Sequence, residues 1–351
     1  MKMIFFADPH IHPFQQHSRI LPGGVNSRLQ AGIDVLKQIC DYAMGQDIHY
    51  LVCAGDLFHW KEKLDVQALN MVLDLLGDYP LLQFYFIPGN HDMASHDGSV
   101  HSLSPLSLRN NAVVISEPVG INLGGAYFVF VPYIQTNGKF DKVLFADAVQ
   151  KEWPREPCKS VLVSHCYIDD LMQKHFGIAG NVEASDLASL FDLSLLGHLH
   201  IHDTVSFPNG RCVVSIGAPI QQRVSDAGNE TGFLVLETDN LSLQRVRTHG
   251  PEFASVPIGS LDPEKVADNF VRVRVSSKQE EEKVRKELEK MGAASVAVEV
   301  VPVANGSRID ISPGSKDADL FQKYLSSPWG ETKLDHARLT EMALRYLEGQ
   351  L

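Results

Sequence analysis

The sequence lacks the features that mark disulfide-rich, structural-zinc and membrane proteins. It has five cysteines and no CxxC pair, so neither a disulfide framework nor a structural zinc site is predicted. No apolar run approaches the roughly 20 residues that a membrane span requires. The apolar start at residues 3–7 is too short for the core of a secretory signal. We therefore expect a cytoplasmic protein, in the host cytoplasm if phage-encoded, with no membrane contact.

An excess of positive charge is also absent, because the formal net charge is −12. A protein that binds DNA unaided is usually basic, since contacts between cations and phosphates drive the affinity. The acidic balance therefore disfavours strong DNA binding by this chain alone. Bound divalent cations would add positive charge that the count omits, and a basic partner could supply more.

The first 240 residues or so alternate between strand-like and helix-like patterns. Helices that follow strands favour an α/β layered fold, and shorter strands in the later half favour a second sheet packed on the first. The predicted strands are residues 3–7, 50–54, 82–87, 126–131, 161–164, 193–196, 211–216 and 233–236, and the predicted helices are residues 27–45 and 65–76.

A smaller unit follows this alternating region. Residues 270–275 and 295–301 are predicted strands on either side of a charged helix at 278–291, which together make a β-α-β unit. Residues 302–317 are rich in Gly, Ser, Pro and Asp and are typical of a linker. Two helices, at 319–325 and 334–347, are predicted to follow.

Five polar clusters stand where predicted strands end, which is the sheet edge where ligands bind in open α/β folds. Each cluster alone is a weak pattern, and the argument rests on all five occurring in order, with glycine beside three of them. The clusters are Asp8 with His10, the run Gly55-Asp56-Leu57-Phe58-His59, the run Gly89-Asn90-His91-Asp92, His165, and the run Gly197-His198-Leu199-His200.

Seven side chains of these clusters form a mixed set of oxygen and nitrogen ligands without a thiolate. Such a set suits manganese, iron or zinc better than calcium. Seven ligands are too many for one tetrahedral ion and are suited to two ions that share a carboxylate. Paired ions roughly 3.5–4 Å apart promote hydrolysis of phosphate esters. The candidate ligands are Asp8, His10, Asp56, Asn90, His165, His198 and His200.

The five clusters resemble those of the calcineurin-like metallophosphoesterase superfamily. The run GDLFH is similar to that of the SbcD-type DNA nucleases, which include a small phage recombination subunit. The D-x-H cluster continues with Ile11-His12-Pro13, where that group commonly has Leu-Gly, and Ala218 stands where it usually has serine. The resemblance implies a two-sheet α/β/β/α sandwich, a small α+β capping domain and C-terminal helices.

The resemblance also implies a domain organisation. Residues 1–250 would be the nuclease domain, 251–303 the DNA-contacting capping domain, 304–317 a linker, and 318–351 a helical segment that binds an ATPase partner.

The resemblance further implies a role for each site residue. Two divalent ions, expected to be Mn²⁺, would share Asp56. His91 would protonate the leaving oxygen, Asp92 would orient and charge His91, and His59 would contact the scissile phosphate. The first ion would bind Asp8, His10, Asp56 and His200, and the second Asp56, Asn90, His165 and His198.

Three arginines could contact phosphates or could simply be solvated at the surface. Arg272 and Arg274 share one face of a predicted strand, because side chains alternate along a strand. Contact with DNA phosphates and a simple solvated strand face both remain open for this pair. Arg28 begins a helix just after Asn26, where solvation is favoured over contact with a phosphate.

Within that resemblance, the expected function is DNA phosphodiester hydrolysis. The chain would act as an exonuclease on duplex ends and an endonuclease on single strands, gated by an SbcC-type ABC ATPase. A homodimer is also expected. Two alternatives remain open: a phosphodiesterase or phosphatase for small nucleotides, and a non-catalytic scaffold that holds the ATPase.

Overall fold

The structure is a computed structural model that describes residues 1–60, 63–156, 158–257, 261–301, 323–325 and 335–347. One six-stranded sheet runs in the order β14-β13-β1-β2-β3-β4, with β1 to β4 parallel and β13 antiparallel to β1. Its strands are β1 (Lys2–Phe6), β2 (Tyr50–Cys53), β3 (Gln83–Phe86), β4 (Ala112–Val114), β13 (Gly232–Glu237) and β14 (Ser242–Arg247).

A second six-stranded sheet runs in the order β11-β12-β10-β9-β6-β5, in which β6, β9, β10 and β12 are parallel neighbours. A short hairpin, β7 (Gln135–Thr136) with β8 (Lys139–Phe140), follows β6. The strands of the second sheet are β5 (Val119–Leu123), β6 (Ala126–Val131), β9 (Ser160–His165), β10 (Leu193–Gly197), β11 (Asp203–Ser206) and β12 (Cys212–Ser215).

Helices connect many of these strands, and local sequence sets where they begin. The Asn26 side chain accepts hydrogen bonds from two backbone N–H groups of the first helical turn, and the Asp65 side chain accepts one, from Ala68, at the start of the second helix. Such caps satisfy donors that the helix itself cannot use. The helices are α1 (Ser27–Gly45), α2 (Val66–Asp78), α3 (Lys142–Glu152), α4 (Asp169–Phe176) and α5 (Ala184–Leu190).

Three clusters of buried side chains fix the order of the layers. The first packs α1 and α2 on one sheet, as Leu36 and Phe84 show. The second lies between the sheets, where the rings of Phe5 and Phe128 stack with centroids 6.1 Å apart. The third packs α3, α4 and α5 on the second sheet through residues such as Leu187. Burying each such large apolar side chain stabilises the fold by about 1.5–3 kcal/mol. The predicted α/β/β/α sandwich is confirmed.

The region after the sandwich contains the predicted β-α-β elements. A three-stranded sheet in the order β15-β16-β17 is formed with α6 (Pro263–Val266) and α7 (Lys278–Lys290) in the intervening chain, and α8 (His336–Leu347) comes later. No helix in the described part of the chain is long and apolar enough to cross a membrane. The three strands are β15 (Phe253–Val256), β16 (Phe270–Val275) and β17 (Ser295–Val300).

Contacts divide the chain into two units. One consists of Met1–Val273 with Lys283–Val298, and the other of Arg274–Glu282 with Glu299–Leu351. The domain boundaries expected from the resemblance stay a prediction. The predicted linker at 304–317 lies outside the described residues, as does most of 318–351.

Candidate metal centre

Loops at the carboxyl ends of five parallel strands converge at one edge of the sandwich. Asp8 follows β1, Asp56 follows β2, Asn90 follows β3, His165 ends β9, and His198 follows β10. The backbone N–H of Asp8 donates to the carbonyl of Gly55 at 3.0 Å, which ties the first loop to the second. Asp8, Asp56 and His198 adopt left-handed backbone angles, with φ of 57°, 53° and 94°. Such strain in non-glycine residues persists where the surrounding structure enforces it, often at functional sites.

Asp8, His10 and His200 form one group of candidate ligands. One ligand atom from each of these side chains lies within 4.8 Å of the others. The Nε2 atoms of His10 and His200 are 3.1 Å apart. Asp8 Oδ1 is buried and has no hydrogen-bond partner among the residues that the structure describes, although a buried carboxylate oxygen without one is costly. A bound cation would satisfy this oxygen, so the group fits a divalent metal.

Asp56, His165 and His198 form a second group with the same close spacing. His165 Nε2 lies 3.1 Å from His198 Nδ1 and 3.2 Å from the side-chain oxygen of Asn90. The other ring nitrogen, His165 Nδ1, is 2.9 Å from the carbonyl of Ala54. That carbonyl accepts the Nδ1–H, so Nε2 is the nitrogen that would bind a metal ion, as in metal-binding histidines.

Asp56 stands between the two groups. Its Oδ2 is 3.3 Å from His165 Nε2 and 3.7 Å from His10 Nε2. Its Oδ1 accepts a hydrogen bond of 2.7 Å from the backbone N–H of His91. With Oδ1 engaged in this way, Asp56 would offer Oδ2 to a metal ion held by either group.

The protonation of the histidines suits a cation site. Burial, together with neighbouring imidazoles, holds the pKa of His10 and of His198 well below the ordinary value, so both are neutral at pH 7. Burial lowers the pKa of His165, but the carboxylates of Asp56 and Asp8 outweigh it and raise the pKa to about 9. The two carboxylates that attract this proton would attract a metal ion in its place.

Glycines beside the ligands are required by close packing. A Cβ at Gly55 would lie 2.2 Å from His165 Nδ1, and the backbone there is left-handed with φ of 99°. A Cβ at Gly89 would lie 2.2 Å from Asp56 Oδ1. Because neither contact can be relieved by a flexible side chain, any larger residue would displace a ligand.

His91 and His59 lie beside the two ligand groups, and the structure corrects the expected role of Asp92. His91 Nδ1 is 2.6 Å from the carbonyl oxygen of His59, and the two rings stack with centroids 5.0 Å apart. The fully buried carboxylate of Asp92 accepts backbone N–H groups instead, from Gly89 at 2.9 Å and Phe58 at 3.0 Å. Asp92 therefore fastens two ligand-bearing loops together, and a backbone carbonyl orients His91.

Asp226 and Tyr167 also reach the site, and the sequence patterns did not single them out. Asp226 Oδ2 lies 3.5 Å from His200 Nδ1, which places a carboxylate behind a candidate ligand. The Tyr167 ring lies 3.6 Å from the His198 ring, centroid to centroid. Asp226 is 26 residues beyond His200 in a short 3-10 helix, so no local spacing could have indicated it.

Arg272 and Arg274 lie on β16. Arg274 is exposed and forms an ion pair with Glu299 at 3.2 Å. Arg272 is half-buried. The contact of these arginines with DNA stays a prediction.

Known proteins with a similar sequence include a viral phosphoesterase and a DNA repair protein. The sequence is 23% identical over 206 residues to Putative phosphoesterase 244L of Invertebrate iridescent virus 6, covering 57% of this chain and 64% of that protein. It is 23% identical over 300 residues to the DNA double-strand break repair protein Mre11 of Archaeoglobus fulgidus, covering 77% of this chain and 62% of that protein. The chain thus spans less than two thirds of either relative.

Among solved structures, a dimetal phosphatase from Danio rerio is 11% identical, with a TM-score of 0.41, over 71% of this chain and 98% of that one. A sequence model of the calcineurin-like phosphoesterase family matches residues 1–202, more than half of the 351 residues. The chain belongs to the calcineurin-like phosphoesterase family.

Proposed function

We propose that the chain is a metal-dependent DNA nuclease that hydrolyses phosphodiester bonds. The observation that carries the proposal is the pair of ligand groups joined by Asp56 at the wall of an open cleft of about 920 Å³. The relation to a DNA double-strand break repair protein over 77% of the chain supports DNA as the substrate class.

The residues around the cleft divide the chemistry among them. When bound, two divalent ions would neutralise charge on the phosphate and lower the pKa of a water nucleophile. His91 lines the cleft, and its Nδ1 is held by the carbonyl of His59. In the doubly protonated imidazolium, Nε2 is therefore the nitrogen that can deliver a proton to the leaving oxygen. His59 lines the same cleft beside His91 and can contact the phosphate.

Arg28 provides a fixed positive charge in the cleft. The sequence-based prediction that its side chain is solvated is wrong. The side chain is only 8% exposed, lies over the Phe14 ring at 4.1 Å, and donates to the carbonyl of Gln222 at 2.6 Å. Burial lowers its pKa to about 10, which leaves it charged at neutral pH. A cation held against the cleft suits a phosphate of the nucleic-acid backbone.

The metal and the partners are part of the same proposal. Oxygen and imidazole ligands suit Mn²⁺, and we infer that it is the working ion. We infer further that an SbcC-type ABC ATPase binds the segment at 318–351, which the sequence predicts to be helical, and that the nuclease acts as a homodimer. The resemblance of the GDLFH run to the SbcD-type nucleases supports these inferences.

A phosphodiesterase acting on small nucleotides is the second candidate. A cleft of about 920 Å³ falls within the usual size range of small-molecule sites. The two candidates differ in whether a polymer enters the site. The complete set of candidate metal ligands disfavours the remaining alternative, a non-catalytic scaffold.

Hydrolysis of three substrates in Mn²⁺ tests the proposal: linear duplex DNA, circular single-stranded DNA and a chromogenic phosphodiester. Asp56→Asn is the control, because it alters the shared ligand with little change in volume. The proposal expects DNA cleavage by the wild type and none by the variant. Hydrolysis of the chromogenic ester alone would refute the DNA nuclease and favour the small-nucleotide enzyme.

A further inference from the structure

Trp60 presents an unusually large exposed ring at the wall of the metal-site cleft. The residue is 51% exposed, although an indole is among the side chains that gain most from burial. One face of the indole stacks on the His12 ring, with centroids 5.1 Å apart and planes 25° from parallel. The half-exposed ring thus retains apolar surface that the described part of the chain does not cover.

The ring is connected to the metal centre through a short row of aromatic contacts. The centroid of His12 is 5.6 Å from that of His59, and His59 Nδ1 is 3.2 Å from His10 Nδ1. Phe14 contacts two members of this row, with its ring centroid 5.0 Å from that of His12 and 4.7 Å from that of His59. Two ring-to-ring steps therefore separate Trp60 from the histidine that faces the candidate ligand His10.

The surroundings favour a nucleic-acid ligand over an apolar protein segment. Arg28 lines the same cleft and lies 4.1 Å over the Phe14 ring, so positive charge and aromatic surface lie side by side. This combination is how proteins hold single-stranded nucleic acid: cations follow the backbone, and aromatic rings stack on bases of any sequence. A base inside a closed duplex has neighbours on both faces and offers none to a protein ring.

We propose that Trp60, backed by His12, is a stacking platform for an unpaired nucleobase next to the scissile phosphate. The inference rests on the proposed nuclease function and deepens it, because it names a side chain that would hold a nucleobase beside the reacting phosphate. It also gives His12 a role: the imidazole supports one face of the indole and leaves the other for the base.

The test compares kcat/KM in Mn²⁺ for a single-stranded oligonucleotide and for the same oligonucleotide with consecutive abasic sites. Trp60→Ala should lower kcat/KM on the intact oligonucleotide by roughly 5- to 150-fold, the loss expected when one base–aromatic stack is removed. Trp60→Phe should recover most of that loss, because a phenyl ring still stacks. On the abasic oligonucleotide, wild type and Trp60→Ala should be nearly equal.

Phe176→Ala is the matched control. Phe176 is also a largely exposed ring, at 55%, at the end of α4, and it is not one of the described residues that line the cleft. Its substitution should leave kcat/KM at the wild-type value. The thermal unfolding temperature of each variant shows whether the fold is retained.

Three results would overturn the inference. If Trp60→Ala cleaves the intact oligonucleotide with the same kcat/KM as the wild type, no base stacks on Trp60. An equal loss on the intact and abasic oligonucleotides would show that the indole only shapes the loop. If the wild type cleaves the chromogenic ester but no oligonucleotide, the proposed nuclease function itself fails. This result differs from a failure of the stacking inference alone, in which the wild type still cleaves the oligonucleotide.

Discussion

Replacing Asp92 separates the role found in the structure from the role implied by the resemblance. The carboxylate is fully buried and accepts backbone N–H groups from Gly89 at 2.9 Å, Phe58 at 3.0 Å and Leu57 at 3.3 Å. These donors belong to the loops after β2 and β3, which also carry Asp56 and the His91 backbone. Asp92→Ala would leave the donors buried without partners.

The expected cost is large. Each buried donor left without a partner costs about 1–3 kcal/mol, and such losses do not add fully within one network. We expect Asp92→Ala to lower the free energy of unfolding by about 3–5 kcal/mol. For a chain of this size that is a fall of roughly 4–7 °C in the midpoint of thermal unfolding. Asp92→Asn keeps one acceptor oxygen and should lose about half as much.

Thermal unfolding followed by circular dichroism measures this effect, with His91→Ala as the comparison. Loop anchoring predicts that Asp92→Ala loses stability and activity together. If Asp92 instead charged the His91 ring, Asp92→Asn would shift the pH–rate profile at unchanged stability. Wild-type unfolding temperatures for both Asp92 variants would refute the anchoring role.

Three further predictions concern the site. His91→Ala should lower kcat by about 10²- to 10⁴-fold with little change in unfolding temperature, because a proton donor is lost; near-full activity would exclude that role. Asp226→Asn should weaken metal affinity by about 10- to 100-fold, as calorimetric titration would measure, because the carboxylate behind His200 loses its charge; wild-type affinity would contradict this. Arg28→Met should reduce the slope of log Kd for DNA against log salt by about one, and an unchanged slope would place no phosphate at Arg28.

Local patterns were sufficient to locate most of the ligand-bearing edge. The predicted strand at 50–54 is one residue longer than β2, and the predicted strand at 161–164 is one residue shorter than β9 at each end. Such close agreement arises because buried parallel strands form short apolar runs. A polar residue just after such a run must lie at the carboxyl edge of the sheet. The sequence therefore predicted the residues that meet there, and the structure brings Asp8, Asp56 and His198 together.

Contacts between distant segments were beyond the reach of those patterns. From the sequence, the Asp92 carboxylate could contact either the His91 ring or backbone N–H groups. The packing of the loops after β2 and β3 decides between these partners. Arg28 is buried because Phe14 and the distant Phe253 and Gln222 enclose it. No helix was predicted between 142 and 190, where α3, α4 and α5 cover the second sheet. These helices are only 7 to 11 residues long and have short apolar faces.

Counting bound metal tests the two-metal centre most directly. The protein would be stripped with a chelator and titrated with Mn²⁺, and bound ions per chain would be measured by elemental analysis beside Asp56→Asn. The account predicts two ions per wild-type chain and fewer in the variant, since Asp56 belongs to one ligand group and its Oδ2 lies 3.7 Å from His10 Nε2 of the other. One ion or none in the wild type, or an unchanged count in Asp56→Asn, would contradict it.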